Sequence, residues 1–569
     1  MTIPETARRK PMGIAVGNKG YLPGVVAAVI TLVVFLPAIR NGFVGWDDPV
    51  YVTANSHIQR IDADFFRWAF FGLADMPLWI PLTWISFAGE HALWGLDPRG
   101  YHLTNILLHS LNVFLVFLVS VRLLRAYYTS KETSGRSDKM AYKMIEACAL
   151  MTALFFGLHP LRVESVAWVT ERKDVLSGFF GLSAILMYIK YAARRSDFAG
   201  LAGRLRDFRY AASLLLFVLS LMSKPMTITL PVVFLILDWF PLAGMKRVRF
   251  ARAVGEKTPF FIAALVSGVL TLITQQPGML RFDDISLWPR VLQAFKSVTT
   301  YLLLMLRPAG LAAFYDHPGG TASIFRYDFL LPIILFALVS AACFILAKSN
   351  RLWLAVWLYY LATLLPVIGI FQAGAHAMGD RFTYLPSIGP AFLASICIAA
   401  LIRKTSGERD FRKAFSGMII VAVVISLAYF AAASSRQIAV WRDNETLWTH
   451  AINERPDSAA RAYLQRSVEY SRTGRYEDAL KDMNASLEIQ KRMNYCRIDK
   501  AYFLRGNVLL ELKRFAEAVD DFNRAIELNP HEPEAAYFEK RGSALAAVGM
   551  LDRAERDREA SLHMHRGNI

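Results

Sequence analysis

The stretch Val25–Ile39 reads VVAAVITLVVFLPAI and contains no charged residue. Apolar stretches with few or no charges recur at Leu111–Leu124, Leu214–Met222, Thr227–Leu242 and Gly417–Ala433. Apolar runs that approach twenty residues are typical of helices that span a bilayer. The composition agrees, since 54% of the 569 residues are hydrophobic and the mean hydropathy is +0.32. The sequence therefore predicts an all-α, polytopic membrane helix bundle.

About eleven spans are expected along the chain. They fall near 22–39, 101–124, 144–160, 175–192, 210–223, 226–243, 259–276, 328–347, 352–371, 383–402 and 415–434. A further apolar segment, 291–306, contains Lys296 and is followed by Arg307. The sequence leaves open whether this segment crosses the membrane or lies at its interface.

The net charge of +17 comes mostly from basic residues between the apolar segments, so membrane topology explains it better than nucleic-acid binding does. The basic loops lie near 122–143, 194–209, 246–257 and 403–413. The positive-inside rule places these loops in the cytoplasm. The N-terminus, with Arg8–Lys10 before a retained first span, is then cytoplasmic. The loop Asn41–Gly100 and the C-terminal tail lie outside.

From about Pro456 the sequence becomes polar, Ala-rich and periodic. The clearest unit, Asp499–Glu532, has the small and apolar residues of a tetratricopeptide (TPR) repeat, namely Gly506, Ala518, Phe522, Ala525 and Pro530. Weaker copies contain Tyr470, Gly474 and Ala479, and then Gly542, Leu545 and Ala554. The sequence thus predicts a membrane domain at 1–440 and a domain of about three TPR repeats at 441–569. An arbitrary helical tail is the alternative.

Asp47 and Asp48 follow the first span directly. Adjacent carboxylates at a membrane surface suffer desolvation and mutual repulsion unless something uses them. One could act as a general base toward an acceptor hydroxyl, and the other could hold a backbone or a cation. The alternative is a solvated turn, because Asp-Asp-Pro favours turns.

Polar residues recur on one face of the second predicted span. His102, Asn105, His109 and Asn112 follow each other at steps of three and four residues. Such a stripe usually faces the bundle interior and forms interhelical hydrogen bonds, which is the default interpretation here. The i, i+4 histidine spacing of zinc helices is absent.

Three further segments place charges at predicted outer ends of spans. The second outer loop combines both signs, in His159, Arg162, Glu164, Arg172, Lys173 and Asp174. This mixture suits a polar or anionic ligand, or else forms ordinary ion pairs. Lys224 lies in a tight turn between two spans, and Arg381 precedes another span. Both suit a lipid-linked phosphate, and snorkelling toward water is the alternative for both.

These segments together resemble the transmembrane and TPR-containing O-mannosyltransferase-like family and its bacterial relatives, over nearly the whole chain and in order. The resemblance rests on the Asp47–Asp48 pair, the His-x-x-Asn-x-x-x-His stripe from His102 and the motif His-Pro-x-x-x-Glu-Ser-Val-Ala-x-Val-x-x-Arg-x-Asp from His159. It also rests on Arg-x-x-Tyr-Leu-Pro-Ser from Arg381 and Trp-Arg-Asp-Asn-Glu-Thr-Leu-Trp from Trp441.

The resemblance implies a GT-C-type glycosyltransferase that moves a sugar, such as mannose, from a polyprenyl phosphate to Ser or Thr of a protein outside the membrane. It implies an acidic residue at the acceptor, here Asp47 or Asp48, and a further acidic residue at Glu164. Donor-phosphate contacts fall on Arg381, Lys224 and Arg172. Other pocket candidates are His102, His109, His159, Arg162 and Tyr384. Direct displacement would invert the anomeric carbon, and the need for a divalent cation is left open.

Two positions differ from animal members of the family. Arg162 stands where they have a second histidine, and Pro225 stands where an acidic residue follows their lysine. The donor sugar is therefore not fixed by the resemblance. The short repeat array and the absence of a retention signal at Gly567–Ile569 favour a bacterial inner membrane over the endoplasmic reticulum.

Two other functions are considered. A non-enzymatic scaffold would bind protein partners through its repeats and would not need Asp47, Asp48 or Glu164. A transporter or flippase would favour ionisable residues near the middle of spans. The candidates lie mostly at outer ends, with Asp238 as the main exception, which argues against transport.

Overall fold

The computed structural model describes residues 18–131, 139–194, 201–242, 250–275, 286–317, 322–370, 376–405, 410–493, 498–529 and 534–567. The basic residues Arg8–Lys10, the repeat residue Pro530 and parts of the four basic loops lie outside these ranges.

The membrane region is built from helices, as expected. They are α1 (Leu22–Phe35), α2 (Ala63–Phe71), α3 (Pro81–Trp94), α4 (Pro98–Lys131), α5 (Lys139–Gly157), α6 (Val163–Ala167), α7 (Arg172–Ala192), α8 (Leu201–Arg206), α9 (Phe208–Ser223), α10 (Leu230–Trp239), α11 (Phe250–Gln275), α12 (Leu287–Leu306), α13 (Tyr327–Ala347), α14 (Leu352–Leu364), α15 (Ile388–Thr405) and α16 (Asp410–Val440). Short 3₁₀ helices occupy Pro160–Arg162, Val169–Glu171, Pro225–Thr229 and Asp380–Thr383.

Six helical segments in the described ranges are long and apolar enough to cross a membrane. A seventh span would be the pair formed by α5 and the segment Pro160–Ala167, which is bent by 59°. Helices α9, α10 and α14 are apolar but shorter. Helix α12 covers the segment 291–306 and does not meet the same test. The expected count of about eleven spans is therefore not confirmed.

The first helix shows how the bundle divides its faces. Ala27 and Thr31 of α1 are fully buried, whereas Val29 and Val33 on other faces are more than half exposed. Gly157 lets α5 approach α1 and α4 closely, because a Cβ there would lie 2.6 Å from Thr31 Oγ1 and 2.7 Å from Val113 Cγ2. The exposed apolar faces are those that a bilayer would cover.

The segments predicted to lie outside meet at one end of the bundle. The Thr83 hydroxyl donates to the Ser223 carbonyl at 2.9 Å, which ties the first outer loop to the Lys224 turn. Nearby, β1 (Tyr315–Asp316) pairs antiparallel with β2 (His376–Met378) and leads the chain into the helical turn that carries Arg381.

The C-terminal tail consists of helical hairpins, which confirms the TPR prediction. Its helices are α17 (Asn444–Glu454), α18 (Ala460–Arg472), α19 (Tyr476–Arg492), α20 (Asp499–Glu511), α21 (Phe515–Leu528), α22 (Ala535–Ala547) and α23 (Leu551–Gly567). Gly506 explains the close packing of α20 on α21, since a Cβ there would lie 2.6 Å from the Phe522 ring.

Each hairpin carries an arginine–aspartate pair that we name a TPR clamp. The three clamps are Arg466–Asp482, Arg505–Asp521 and Arg541–Asp557, each with two N–H···O bonds of 2.6–2.8 Å. The remaining guanidinium nitrogen of each arginine, Nη1, donates to a side chain of the preceding helix. The acceptors, in the same order as the clamps, are Thr449, Asn484 and Asn523. Because Thr449 takes the place of the two asparagines, α17 packs like the second helix of a preceding repeat.

The tail is joined directly to the first outer loop. The Gly42 amide donates to the Arg442 carbonyl at 2.9 Å, and the Asn41 side chain donates to the Ile438 carbonyl at 3.0 Å. Asn444 accepts from the Gly45 amide and donates to Glu469 of α18 at 2.9 Å. The loop that carries Asp47 and Asp48 is thus held by the start of the repeat array.

Candidate functional site

The carboxylate of Asp48 is buried and fully engaged. It accepts from the Val44 amide at 2.8 Å, from the Thr170 amide at 3.1 Å and from the Thr170 hydroxyl. Burial raises the pKa of Asp48 to about 6, although these hydrogen bonds act in the opposite direction. Asp48 therefore ties the first outer loop to the second, with both of its oxygens already accepting hydrogen bonds in a buried position.

Asp47 has a different environment. Its side chain is 37% exposed, and its nearest ionic partner is Lys173, whose Nζ lies 3.9 Å from Oδ2. An incoming hydroxyl can reach this carboxylate without breaking a hydrogen-bond network. The structure thus separates the two adjacent aspartates into one accessible and one buried group.

Behind Asp47 lies a buried set of ionic groups that we name the charge cluster. Its members are Glu164, Glu171, Lys173, Asp174, Lys224 and Arg381. Lys224 Nζ lies 2.8 Å from Glu171 Oε2 and 2.5 Å from Asp174 Oδ1. Arg381 Nε and Lys173 Nζ approach Glu171 Oε1 at 3.3 and 3.4 Å. Residues from three separate outer segments therefore share one site.

Arg381 is fixed by a carboxylate and by aromatic rings. Glu164 accepts from the backbone amide of Arg381 at 2.8 Å and also from the Arg381 guanidinium group. The guanidinium carbon lies 5.6 Å from the Trp46 ring centroid, 5.5 Å from Trp168 and 4.7 Å from Phe382. Cation–π contacts and a paired carboxylate hold the guanidinium group in one orientation at the boundary between the bundle and the outer loops.

A polar core lies beneath the charge cluster. The Tyr384 hydroxyl lies 2.8 Å from His109 Nδ1 and accepts from Asn112 at 2.9 Å. His109 Nε2 lies 3.1 Å from the Gly157 carbonyl, so the tautomer that donates there leaves Nδ1 to accept from Tyr384. The predicted stripe on α4 thus makes interhelical hydrogen bonds, in agreement with the default interpretation of its pattern.

Arg162 is the least satisfied cation in this region. Its Nη2 donates to the Thr383 hydroxyl at 2.5 Å, and its guanidinium carbon lies 5.4 Å from the Phe156 ring centroid and 5.5 Å from that of Tyr384. Within the described part of the chain, its Nε and Nη1 have no hydrogen-bond partner. The side chain is 1% exposed, so it acts as a buried positive charge under Asp380 and Thr383.

Three other predicted residues lie in contacts between helices. The guanidinium group of Arg172 is surrounded by Ser86, Glu90, Asn105 and the Tyr101 carbonyl, at 2.5–2.8 Å. His102 Nε2 lies 3.4 Å from the Gly42 carbonyl, and His159 Nε2 lies 3.1 Å from the Met305 carbonyl. The structure brings Glu164, Arg381 and Lys224 together in the charge cluster near Asp47. Arg172, His102 and His159 lie outside this cluster.

Two acidic residues of the site were missed by sequence reasoning. Glu171 stands unmarked inside the quoted motif from His159, and Asp380 stands beside Arg381. Burial, and next the charge of Glu164, raise the pKa of Asp380 to about 8, and the Tyr315 hydroxyl donates to it at 2.7 Å. The only sequence signal for either was its position beside a singled-out cation. In the ranges that the structure covers, no group of three or more His, Cys, Asp or Glu residues is arranged to hold a metal ion.

The apolar helices, the buried ionic site at one end and the helical hairpins define the class of this chain: it is an integral membrane protein with a TPR tail. Residues 499–532 and 460–492 each match the tetratricopeptide repeat family.

Curated relatives extend this similarity into the membrane region. The chain is 24% identical over 514 residues to protein O-mannosyl-transferase Tmtc3 of Drosophila melanogaster, covering 80% of this chain and 53% of the relative. It is 24% identical over 494 residues to protein O-mannosyl-transferase TMTC4 of Homo sapiens, covering 76% and 62%. The resemblance to the transmembrane and TPR-containing O-mannosyltransferase-like family is confirmed. The chain spans about half to three fifths of the length of these relatives.

Proposed function

We propose that this chain is a GT-C-type membrane glycosyltransferase. It transfers a sugar, with mannose as the first candidate, from a polyprenyl-phosphate donor to Ser or Thr of a protein acceptor. The observation that carries the proposal is the position of an accessible carboxylate, Asp47, beside Lys173, whose partner Glu171 also binds the buried cations Lys224 and Arg381. The curated relatives bear the name protein O-mannosyl-transferase, which supports the sugar and the acceptor class.

Asp47 is the proposed general base. It takes the proton of the acceptor hydroxyl as the hydroxyl oxygen forms a bond to the anomeric carbon. The bond between that carbon and the phosphate oxygen breaks, and polyprenyl phosphate leaves. Attack from the face opposite the phosphate inverts the anomeric carbon. Asp48 is a positioning residue in this proposal because Oδ2 accepts from the Val44 amide and Oδ1 accepts from the amide and the hydroxyl of Thr170.

Arg381 and Lys224 are the proposed donor-phosphate ligands. Negative charge develops on the phosphate as it leaves, and fixed cations in a water-poor site stabilise it electrostatically. Glu164 orients Arg381, and Arg172, whose donors are occupied by Glu90 and its neighbours, supports the fold of the outer segments.

An apolar cavity offers a place for the lipid chain. It lies among α4, α7, α10, α14 and α15, where Leu182, Val233, Tyr359 and Phe392 are part of its lining. Leu182 is eight residues beyond Asp174 on α7, which is about 12 Å along a helix. A polyprenyl chain that enters the bundle from the charge cluster would therefore reach apolar surroundings within two to three helical turns.

The repeats are proposed to present the acceptor. A second cavity lies on the face formed by the first helices of successive repeats, where Val468, Leu504, Asn507 and Lys540 contribute to its lining. TPR arrays bind extended segments on such faces. This arrangement requires the repeats and Asp47 on the extracytoplasmic side. We place that side in the bacterial periplasm, with the N-terminus cytoplasmic.

The test is transfer of radiolabelled mannose from polyprenyl-phosphate mannose to protein, in membranes that contain equal amounts of each variant. Asp47→Asn should lower transfer by about 10²- to 10⁴-fold, the range for loss of a general base. Asp48→Asn should instead lower thermal stability, by about 1–3 kcal/mol for the unmatched buried donors, with a smaller loss of transfer. Asp64→Asn, an exposed acid of the same loop, is the matched control and should behave like the parent.

Two outcomes would count against the proposal. If the parent and Asp47→Asn transfer sugar at equal rates, Asp47 is not the general base. No transfer with mannose or with other polyprenyl-linked sugars, together with capture of protein by the repeats, would favour the scaffold.

A further inference from the structure

Glu171 lies at the centre of the three cations of the charge cluster. One of its oxygens, Oε1, is 3.3 Å from Arg381 Nε and 3.4 Å from Lys173 Nζ. The other, Oε2, accepts from Lys224 Nζ at 2.8 Å. The side chain is 2% exposed. A single carboxylate thus occupies the point on which all three cations converge.

The other two carboxylates of the cluster have partners that keep them at its edge. Glu164 also accepts from the backbone amide of Arg381, and Asp174 also accepts from the Ser165 hydroxyl at 3.1 Å. Among the described residues, the carboxylate of Glu171 is contacted by ionisable side chains only, namely the three cations and the carboxyl group of Asp174. Glu171 is therefore the carboxylate that an incoming anion can replace without breaking a hydrogen bond to a backbone amide or a hydroxyl group.

Each cation of the cluster has a carboxylate partner without a ligand. Lys173 and Arg381 contact Glu171, Arg381 also contacts Glu164, and Lys224 contacts both Glu171 and Asp174, so a phosphate must compete with these carboxylates. A sugar–phosphate–lipid is a phosphodiester with one negative charge, the same charge as a carboxylate. Its two free oxygens resemble the two oxygens of a carboxylate in their ability to accept from several cations at once.

We propose that Glu171 is a resident anion in the phosphate site, which the phosphodiester of a lipid-linked sugar displaces from Lys173, Lys224 and Arg381. The inference rests on the proposed function and adds Lys173 as a third phosphate ligand. Lys173 also lies beside Asp47, so the same lysine joins the phosphate site to the proposed base. Donor affinity is then set by competition between the phosphodiester and Glu171.

The experiment measures binding, not transfer. The full chain in lipid nanodiscs is titrated by calorimetry with farnesyl methyl phosphate, a phosphodiester with one negative charge and no sugar. Glu171→Gln should bind the probe about tenfold more tightly than the parent does. Asp174→Asn removes the other carboxylate that contacts Lys224 without vacating the centre of the cluster, and its affinity should stay within about threefold of the parent. Lys173→Met should bind about tenfold more weakly.

A second variant protects the test against loss of folding. Glu171→Asp keeps the charge and shortens the side chain by one methylene, so it should bind the probe with an affinity between those of the parent and Glu171→Gln. Inorganic phosphate, titrated in parallel, separates a lipid headgroup site from a site for free phosphate. A larger gain for inorganic phosphate than for the lipid probe would overturn the lipid assignment.

The remaining outcomes are decisive as well. Unchanged or weaker probe binding by both Glu171 variants, or no binding by any protein, would overturn the inference and leave Glu171 as an internal ion-pair partner. If the chain binds the probe as expected but transfers no sugar, the inference about Glu171 stands and the proposed function is wrong. If the parent transfers sugar but its affinity for the probe does not change in the Glu171 variants, the proposed function stands and the inference is wrong.

Discussion

The TPR clamps and the charge cluster both join basic side chains to carboxylates, and they distribute the charges differently. In each clamp one arginine serves one aspartate through two short hydrogen bonds, and its third group reaches the preceding helix. In the charge cluster three cations share Glu171, and Lys224 serves two carboxylates. In the clamp each nitrogen of the arginine already has a partner within the repeats, whereas the cluster holds charges that a ligand can rearrange.

Burial sharpens this difference. The arginine and aspartate of the middle clamp keep 23% and 6% of their side-chain surface, while Glu171 and Asp174 keep 2% and 0%. Ion pairs in a buried setting repay their desolvation only when the geometry is good and further hydrogen bonds are made. A shared, buried cluster is therefore a poor way to gain stability and is better explained by function.

Among the substitutions that test this comparison, the largest effect is expected at Arg381. Arg381→Ala should lower sugar transfer by about 10²- to 10³-fold, the range for removal of one electrostatic stabiliser. It also leaves Glu164 buried without its cation, which costs about 3–5 kcal/mol. Transfer in membranes and thermal unfolding followed by tryptophan fluorescence measure the two effects.

Arg381→Lys is the control for that prediction. It keeps the charge and loses the planar fork that faces Glu164 and Glu171, so it should recover stability better than transfer. If Arg381→Ala transfers sugar as fast as the parent does, the arginine lies outside the functional site. The charge cluster would then have only a structural role, as the TPR clamps have.

An intermediate effect is expected in the tail. Arg505→Ala removes two bonds to Asp521 and one to Asn484, at a cost of about 1–2 kcal/mol once partial exposure is taken into account. Hydrogen exchange of the full chain should show faster amide exchange across α20 and α21. The rate of sugar transfer to a free peptide should change by a smaller factor than the exchange rates do.

The exposed pair Arg524–Glu527 on the same hairpin supplies the matched control. Arg524→Ala should leave exchange unchanged, because surface pairs contribute little. Equal exchange in the Arg505 and Arg524 variants would mean that the clamps do not bind the hairpins together, and the comparison with the charge cluster would fail.

The smallest effect is expected at Asp380, a carboxylate beside the cluster that has Tyr315 as its hydrogen-bond donor and no ion pair among the described residues. Its folded pKa of about 8 exceeds the ordinary value of 3.8, so between these pH values the folded chain holds a proton that the unfolded chain releases. The contribution of Asp380 to the free energy of unfolding therefore falls as the pH rises toward 8. Asp380→Asn should melt within about 2 °C of the parent at pH 6.

The same variant should lose less stability than the parent when the pH is raised from 6 to 8.5, because asparagine cannot ionise. Melting curves at both pH values measure this slope. A parent slope equal to that of the variant would indicate that Asp380 is already ionised at pH 6 and is balanced by a cation, as the clamp aspartates are.

Sequence reasoning located much of the candidate site but did not predict which of its residues are accessible and which are held by buried partners. Asp47 and Asp48 were predicted as a pair with two roles, and only their surroundings show that Asp48 is occupied by Val44 and Thr170 while Asp47 is accessible. Arg172 and Arg381 carry the same charge at comparable predicted depth. The structure gives one a closed set of partners and the other a shared one.

Local pattern determined the features that depend on residues close together in the chain. The apolar runs predicted helices, and the spacing of Gly506, Ala518 and Phe522 predicted a hairpin, because side chains three and four positions apart share a helix face and a small residue permits close packing.

The tertiary structure decided the features that depend on distant residues. Glu171 meets Lys224, 53 positions away, and Arg381 meets Glu164, 217 positions away, only because three outer segments converge at one end of the bundle. Charge alone does not say which cation a carboxylate will face. The interaction is set by distance and burial, and both are fixed when the helices pack.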